Sequence, residues 1–145
     1  PFAGKYLIDH VLRTASQISQ KISVVVVFEK ELLINHLSLN HHKVMTAFQA
    51  KQIGTADAVK TGMPNSNQDD MVLVLYGDVP LIQASTILNG VDDQHDAFIF
   101  TMELNHPTGY GRVVKDAKGF ATCIIEEKDA SDLEKRSTKF SLESW

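Results

Sequence analysis

Four consecutive valines, Val24 to Val27, sit inside the run Ile22-Ser23-Val24-Val25-Val26-Val27-Phe28. β-Branched side chains suit a pleated strand, and an unbroken apolar run has no polar face to turn toward water. Such a strand has to be covered on both sides, so it belongs at the centre of a layered fold. Upstream, Leu7, Val11, Ala15 and Ile18 recur at helical spacing, with Lys5, Asp9, Arg13 and Gln17 elsewhere. Downstream, residues 29–39 read as a helix and 43–49 as a second strand. Residues 55–63 read as a helix entered through Gly54, with Thr55 as the expected N-cap.

The run Met71-Val72-Leu73-Val74-Leu75 predicts another buried central strand, followed by a short helix over 83–91. Residues 96–104 read as a strand, and 111–128 as two strands about a turn at Lys118-Gly119. Residues 129–136 are polar and read as a short helix or loop. Strands alternating with helices predict a mostly parallel α/β sheet, with right-handed crossovers covering both faces.

Composition narrows the function classes. A length of 145 residues suits one domain with a real core. The net charge of −4, with no basic stripe among aromatics, leaves no electrostatic footprint for nucleic acid or an anionic membrane. Apolar runs are too short to cross a bilayer. Cys123 is the single cysteine, so no internal disulfide is expected, and a reducing, cytoplasmic setting follows. Its neighbours Ala121-Thr122 and Ile124-Ile125 predict a buried, inert thiol.

In open α/β sheets ligands gather beyond the carboxyl ends of strands, so polar residues just past a strand are the candidates. Three places qualify. In Tyr76-Gly77-Asp78 a carboxylate follows an apolar run, where it suits Mg2+ shared with phosphates, or else a plain turn before Pro80. In residues 49–55, Gln49 ends a strand and Gly54-Thr55 opens a helix. An amide there can read a base edge and a glycine lets the base approach, or the segment is a simple helix start. In residues 106–113, Gly109 and Gly111 flank Tyr110 and can cradle a sugar or phosphate, or merely join two strands. Glu126, Glu127, Lys128 and Asp129 then close the last strand, as a solvated strand end or part of a site. No Gly-x-Ser-x-Gly elbow and no phosphate-binding Gly-x-x-x-x-Gly-Lys loop occurs in this sequence.

Taken in order, "FQAKQIGTADAV", "LVLYGDVPLI", "PTGYGRVV" and "IIEEKDAS" resemble the uridylyltransferase half of the bacterial bifunctional UDP-N-acetylglucosamine pyrophosphorylase and glucosamine-1-phosphate N-acetyltransferase family. The opening "AGKYLIDHVL" resembles the segment after that family's signature loop. The resemblance covers roughly residues 3 to 132 and implies a Rossmann-like nucleotidyltransferase fold of the GT-A type. It implies joining of UTP and N-acetylglucosamine 1-phosphate, with Mg2+, to give UDP-N-acetylglucosamine and pyrophosphate. By position, Gln49 and Gly54 match contacts to uracil, and Thr55 one near the nucleotide-sugar. Asp78 matches the catalytic metal ligand, Tyr76 and Gly77 line the same cleft, and Gly111 and Glu126 match positions that hold the N-acetylglucosamine.

The chain also departs from the family pattern. The Gly-x-Gly-Thr-Arg-Met loop and the Pro-Lys pair would precede Pro1. The Ile-Asn-Thr/Ser-Gly segment does not follow "EEKDAS", and Asp57 stands where the family often has His. The expectation is therefore a partial nucleotidyltransferase domain over 1–145, without the β-helix acetyltransferase domain through which the family trimerises. Another sugar 1-phosphate nucleotidyltransferase, or an inactive domain that only binds a nucleotide-sugar, are the alternatives.

Overall fold

The computed structural model describes residues 2–27, 30–63, 67, 69–105, 108–134 and 139–141. The chain falls into two compact units, one of residues Leu12–Leu75 and one of Pro1–Val11 with Tyr76–Trp145. Helix α1 (Leu7–Ala15) runs across the division between them. At its start the Asp9 carboxylate accepts the Tyr6 backbone N–H at 3.0 Å, the acidic half of a capping box. Its residues Val11, Leu12, Thr14 and His10 are buried. The Nε2 of His10 lies 3.0 Å from the Phe2 carbonyl oxygen, which can only accept, so that nitrogen carries the proton. The helix ends at Ala15, before Ile18, where the Gln17 and Ile18 N–H groups turn to the carbonyls of Thr14 and Ala15, three residues back, and tighten the last turn.

The first unit carries the predicted strand–helix–strand order. Strand β1 (Ser23–Val26) leads through helix α2 (Lys30–Asn40) to strand β2 (Met45–Phe48), and the strands pair in parallel, Ser23 opposite Met45 and Val26 opposite Phe48. A parallel pair needs a long crossover, which α2 supplies. Along β1, Val24 and Val26 are buried while Ser23 and Val25 are half-buried, so both faces are covered to some degree. Helix α3 (Thr55–Gly62) packs on both strands. A Cβ on Gly62 would stand 2.9 Å from Val25 Cγ2, so a side chain there would drive the helix off the sheet. Leu37 of α2 is 1% exposed, whereas Leu39 on the same helix is exposed. Phe28 and Glu29, at the predicted element ends, lie outside the described residues.

The second unit holds helix α4 (Ala84–Gly90) and a four-stranded antiparallel sheet. Its strands are β3 (Thr101–Glu103), β4 (Arg112–Lys115), β5 (Ala121–Ile125) and β6 (Lys139–Ser141), in the order β3-β6-β4-β5. The α/β class thus stands, with the parallel pairing in one unit and antiparallel pairing in the other. Strand β6, within a segment that sequence patterning left unassigned, lies between β3 and β4. Strands β4 and β5 form the predicted hairpin. Its turn is closed by the Asp116 carboxylate, which accepts the N–H groups of Lys118 and Phe120, with Gly119 at φ 90°. Register slips between Val114 and Lys115, leaving Thr122 as the extra residue on β5. The Thr122 hydroxyl donates to the Val114 carbonyl at 3.1 Å, supplying a partner where the ladder is offset.

Two local expectations are corrected. Residues 71–76 are not a buried strand: Met71, Val72 and Val74 are 64, 42 and 46% exposed. Apolarity does not supply a ladder partner, and among the described residues β1 and β2 pair only with each other. The Asp70 carboxylate, just before this run, accepts the Asn67 N–H, which holds it below its ordinary value of 3.8. Cys123 lies on β5 as expected but is exposed, because the distal part of the hairpin stands at the sheet edge. Residues 129–133 take the loop alternative, with the Ser131 N–H and hydroxyl both donating to Glu134, and residues 135–136 lie outside the described residues.

Among the described residues no helix is long and apolar enough to cross a membrane. Leu37→Ala should lower stability by about 3 kcal/mol, whereas Leu39→Ala on the same helix should change it by less than about 0.5 kcal/mol. Urea denaturation followed by circular dichroism measures both, and equal losses would contradict the burial assigned to α2.

Candidate functional site

In the first unit, the end of β2 sets the position of Gln49. Its backbone N–H donates to the Val26 carbonyl at 3.0 Å, continuing the parallel ladder one residue beyond the strand. That bond draws the side chain inward, and Gln49 is only 4% exposed. Its amide nitrogen donates to Asp57 Oδ2 at 2.8 Å and to the Gly54 carbonyl at 3.3 Å. Gln49 and Gly54, both predicted at the base-reading position, are therefore in direct contact.

Gly54 has φ 122° and ψ 170°, in a region that side-chain-bearing residues rarely enter, and this conformation turns the chain into α3. Gly54 itself occupies the N-cap, without a side-chain hydrogen bond, and Thr55 is the first helical residue. Thr55 is thus not the cap, and it stays exposed. The Gly54 carbonyl accepts both the Ala58 N–H, at 3.2 Å, and the Gln49 amide. Asp57 lies in the first turn of α3, where a carboxylate is favoured by the unsatisfied N–H groups of the helix start.

In the second unit, Tyr76, Gly77 and Asp78 form a turn in which the Val79 N–H donates to the Tyr76 carbonyl at 3.3 Å. Tyr76 is half-buried, and Gly77 and Asp78 are exposed. The turn expectation and the placement of Asp78 just after the apolar run both hold. One exposed carboxylate cannot cage an ion, but Mg2+ characteristically keeps waters and phosphate oxygens and takes one or two protein carboxylates. Asp78 fits that role and does not fit an all-protein metal site.

Gly111 and Glu126 are neighbours. The β4–β5 register places Arg112 opposite Ile125, so the next pair outward is Gly111 with Glu126. A Cβ on Gly111 would lie 3.1 Å from Ile124 Cγ2 and 3.5 Å from the Ile125 carbonyl, so close strand packing accounts for this glycine. The Gly109 N–H donates to the Glu127 carboxylate, and the Tyr110 carbonyl accepts from Arg112. These bonds tie the Gly-Tyr-Gly loop to the end of β5. His106 and Pro107, at the head of the motif, lie outside the described residues.

Two residues escaped sequence reasoning. Asp57 was visible only as a departure from the family's His, yet it holds the Gln49 amide. Arg112 is 2% exposed, and its Nε has no hydrogen-bond partner among the described residues. Its only signal was a cation at the head of an otherwise apolar strand.

With the geometry established, comparison with known proteins is informative. The sequence pattern of the MobA-like NTP transferase domain matches residues 1–132. Over 133 residues the chain is 44% identical to the bifunctional protein GlmU of Burkholderia vietnamiensis and to that of Burkholderia ambifaria. It is 40% identical over 134 residues to the bifunctional protein GlmU of Hydrogenovibrio crunogenus. Each match covers 90% of this chain and 29% of the relative.

The three site glycines should respond differently to alanine. Gly54→Ala should cost roughly 1–3 kcal/mol through its backbone conformation, since open space surrounds the position. Gly111→Ala should cost a similar roughly 1–3 kcal/mol through overpacking against Ile124. Gly77→Ala, whose Cβ would meet Ile8 Cδ1 at an ordinary 3.4 Å, should change stability by less than about 0.5 kcal/mol. Thermal unfolding should separate Gly77→Ala from the other two; a destabilised Gly77→Ala would show that this turn is more constrained than its geometry indicates.

Proposed function

This chain belongs to the MobA-like NTP transferase domain family, and we propose that it forms part of a nucleotidyltransferase domain that moves UMP from UTP to N-acetylglucosamine 1-phosphate. The observation that carries this reading is the 40–44% identity to GlmU proteins across 90% of the chain. The chain spans 29% of those relatives' length, so the assignment concerns this one reaction.

In the proposed reaction a phosphate oxygen of the sugar phosphate attacks the α-phosphorus of UTP. The bond to the β-phosphate breaks, and pyrophosphate leaves. The chemistry needs two anions held in line and their charge neutralised, with no nucleophilic side chain. Gln49 and Gly54 take the uracil, and Thr55 lies beside the nucleotide-sugar. Gly111 and Glu126 hold the N-acetylglucosamine, and Tyr76 and Gly77 line the phosphate side. Asp78 would hold Mg2+, which would neutralise phosphate charge and polarise the phosphoryl oxygens. The product is an activated amino sugar of the kind that cell-wall assembly consumes.

The support from geometry is local. Gln49 meets Gly54 directly, Gly111 and Glu126 each follow on from the Arg112–Ile125 pair that ends the β4–β5 ladder, and Asp78 lies in an exposed turn. The test is Mg2+-dependent pyrophosphate release from UTP and N-acetylglucosamine 1-phosphate, measured on the full chain. Asp78→Asn should lower the rate by about 10²-fold or more while leaving the melting temperature near that of the parent. Normal Mg2+-dependent turnover by Asp78→Asn would remove the aspartate from the chemistry. A higher rate with CTP, dTTP or ATP, or with another sugar 1-phosphate, would reassign the substrates, and binding without turnover would make this a nucleotide-sugar-binding domain.

A further inference from the structure

The Gln49 carboxamide has two N–H donors and one oxygen acceptor. Both of its recorded side-chain bonds run from the nitrogen, to the Asp57 carboxylate and to the Gly54 carbonyl. Neither of those groups can donate, so a flipped amide would set oxygen against two acceptors. With both N–H groups consumed, the oxygen is the hydrogen-bonding atom left for a ligand; among the described residues no donor is recorded on it. The side chain is almost wholly buried, which limits the rotation that would exchange the two ends.

We infer that Asp57 is a positioning residue that locks the Gln49 amide with its oxygen outward, so that the site selects bases bearing a ring N–H, uracil above all, against cytosine. The inference rests on the reading that Gln49 meets the base. Uracil offers an N–H at ring position 3, which an acceptor oxygen satisfies. Cytosine offers a lone pair at the same position, and two lone pairs facing each other leave both unsatisfied. A free amide could rotate and serve either base. An amide pinned by a carboxylate cannot, and the discrimination comes from Asp57, which need not touch the nucleotide.

The test is calorimetric titration of the full chain with UTP and with CTP, in the parent and in two variants. It is accompanied by 15N relaxation of the Gln49 side-chain NH2 without ligand. The parent should prefer UTP. Asp57→Ala should free the amide and reduce the UTP-to-CTP preference by about tenfold. Asp57→Asn retains an acceptor oxygen, so it should keep most of the preference, a rescue that general damage to α3 would not produce. Should the alanine variant fail to fold, Asp57→Lys offers only donors and should invert the amide, moving the preference toward CTP. An unchanged preference in Asp57→Ala or Asp57→Lys, or an equally ordered Gln49 amide in Asp57→Ala, would overturn the positioning role. A parent that binds no nucleotide would instead overturn the base-reading assignment beneath it.

Discussion

The parallel pairing of β1 and β2, carried one step further by the Gln49 N–H to the Val26 carbonyl, organises the first unit. A parallel ladder fixes register along its whole length, so β1 determines where β2 ends and where Gln49 stands. Once that backbone bond forms, the amide is carried inward and must find partners, because a buried carboxamide without them is costly. Gly54 and Asp57 provide them. The glycine gives a carbonyl through a backbone conformation few residues accept, and the helix start gives a carboxylate. Strand pairing, a strained turn and a helix terminus thus converge on one side chain.

The second unit is organised differently. Gly111 and Glu126 are set by an antiparallel hairpin, and the loop before β4 is pinned to the residues after β5 through Gly109 and Glu127. Backbone groups and single side chains do the holding in both units. That economy suits phosphoryl transfer, in which the reacting atoms belong to the substrates and the protein orients them.

Sequence patterning located the helices α1 to α4 and the strands β1, β2, β4 and β5 close to where they lie, because apolar periodicity and turn chemistry are local signals. It misplaced what depends on neighbours. Residues 71–76 carry every residue type a central strand needs, but a strand is defined by its ladder, and a ladder partner is not written in the run itself. Cys123 was expected inside from its apolar flanks, whereas the offset at Thr122 and the edge position of β5 leave it outside. Thr55 looked like a cap because threonine caps helices well, yet Gly54 already occupies that position. Among the site residues, Gln49 and Gly54 were legible as a pair, and Gly111 and Glu126 met only because of hairpin register. Asp57 was hidden because its role lies in holding another side chain.

The extra residue at Thr122 divides the β4–β5 hairpin into two phases. Between the offset and Gly111, the pairs add up one way, from Arg112 with Ile125 to Val114 with Cys123; toward the turn, Lys115 meets Ala121. Residues of β5 on the two sides of the offset thus answer to different frames. A hairpin without it would transmit any change of turn length directly to the pairing of Gly111 and Glu126. With it, the pairs toward the turn and those toward Gly111 follow different frames, and the strand bends and twists more strongly between them.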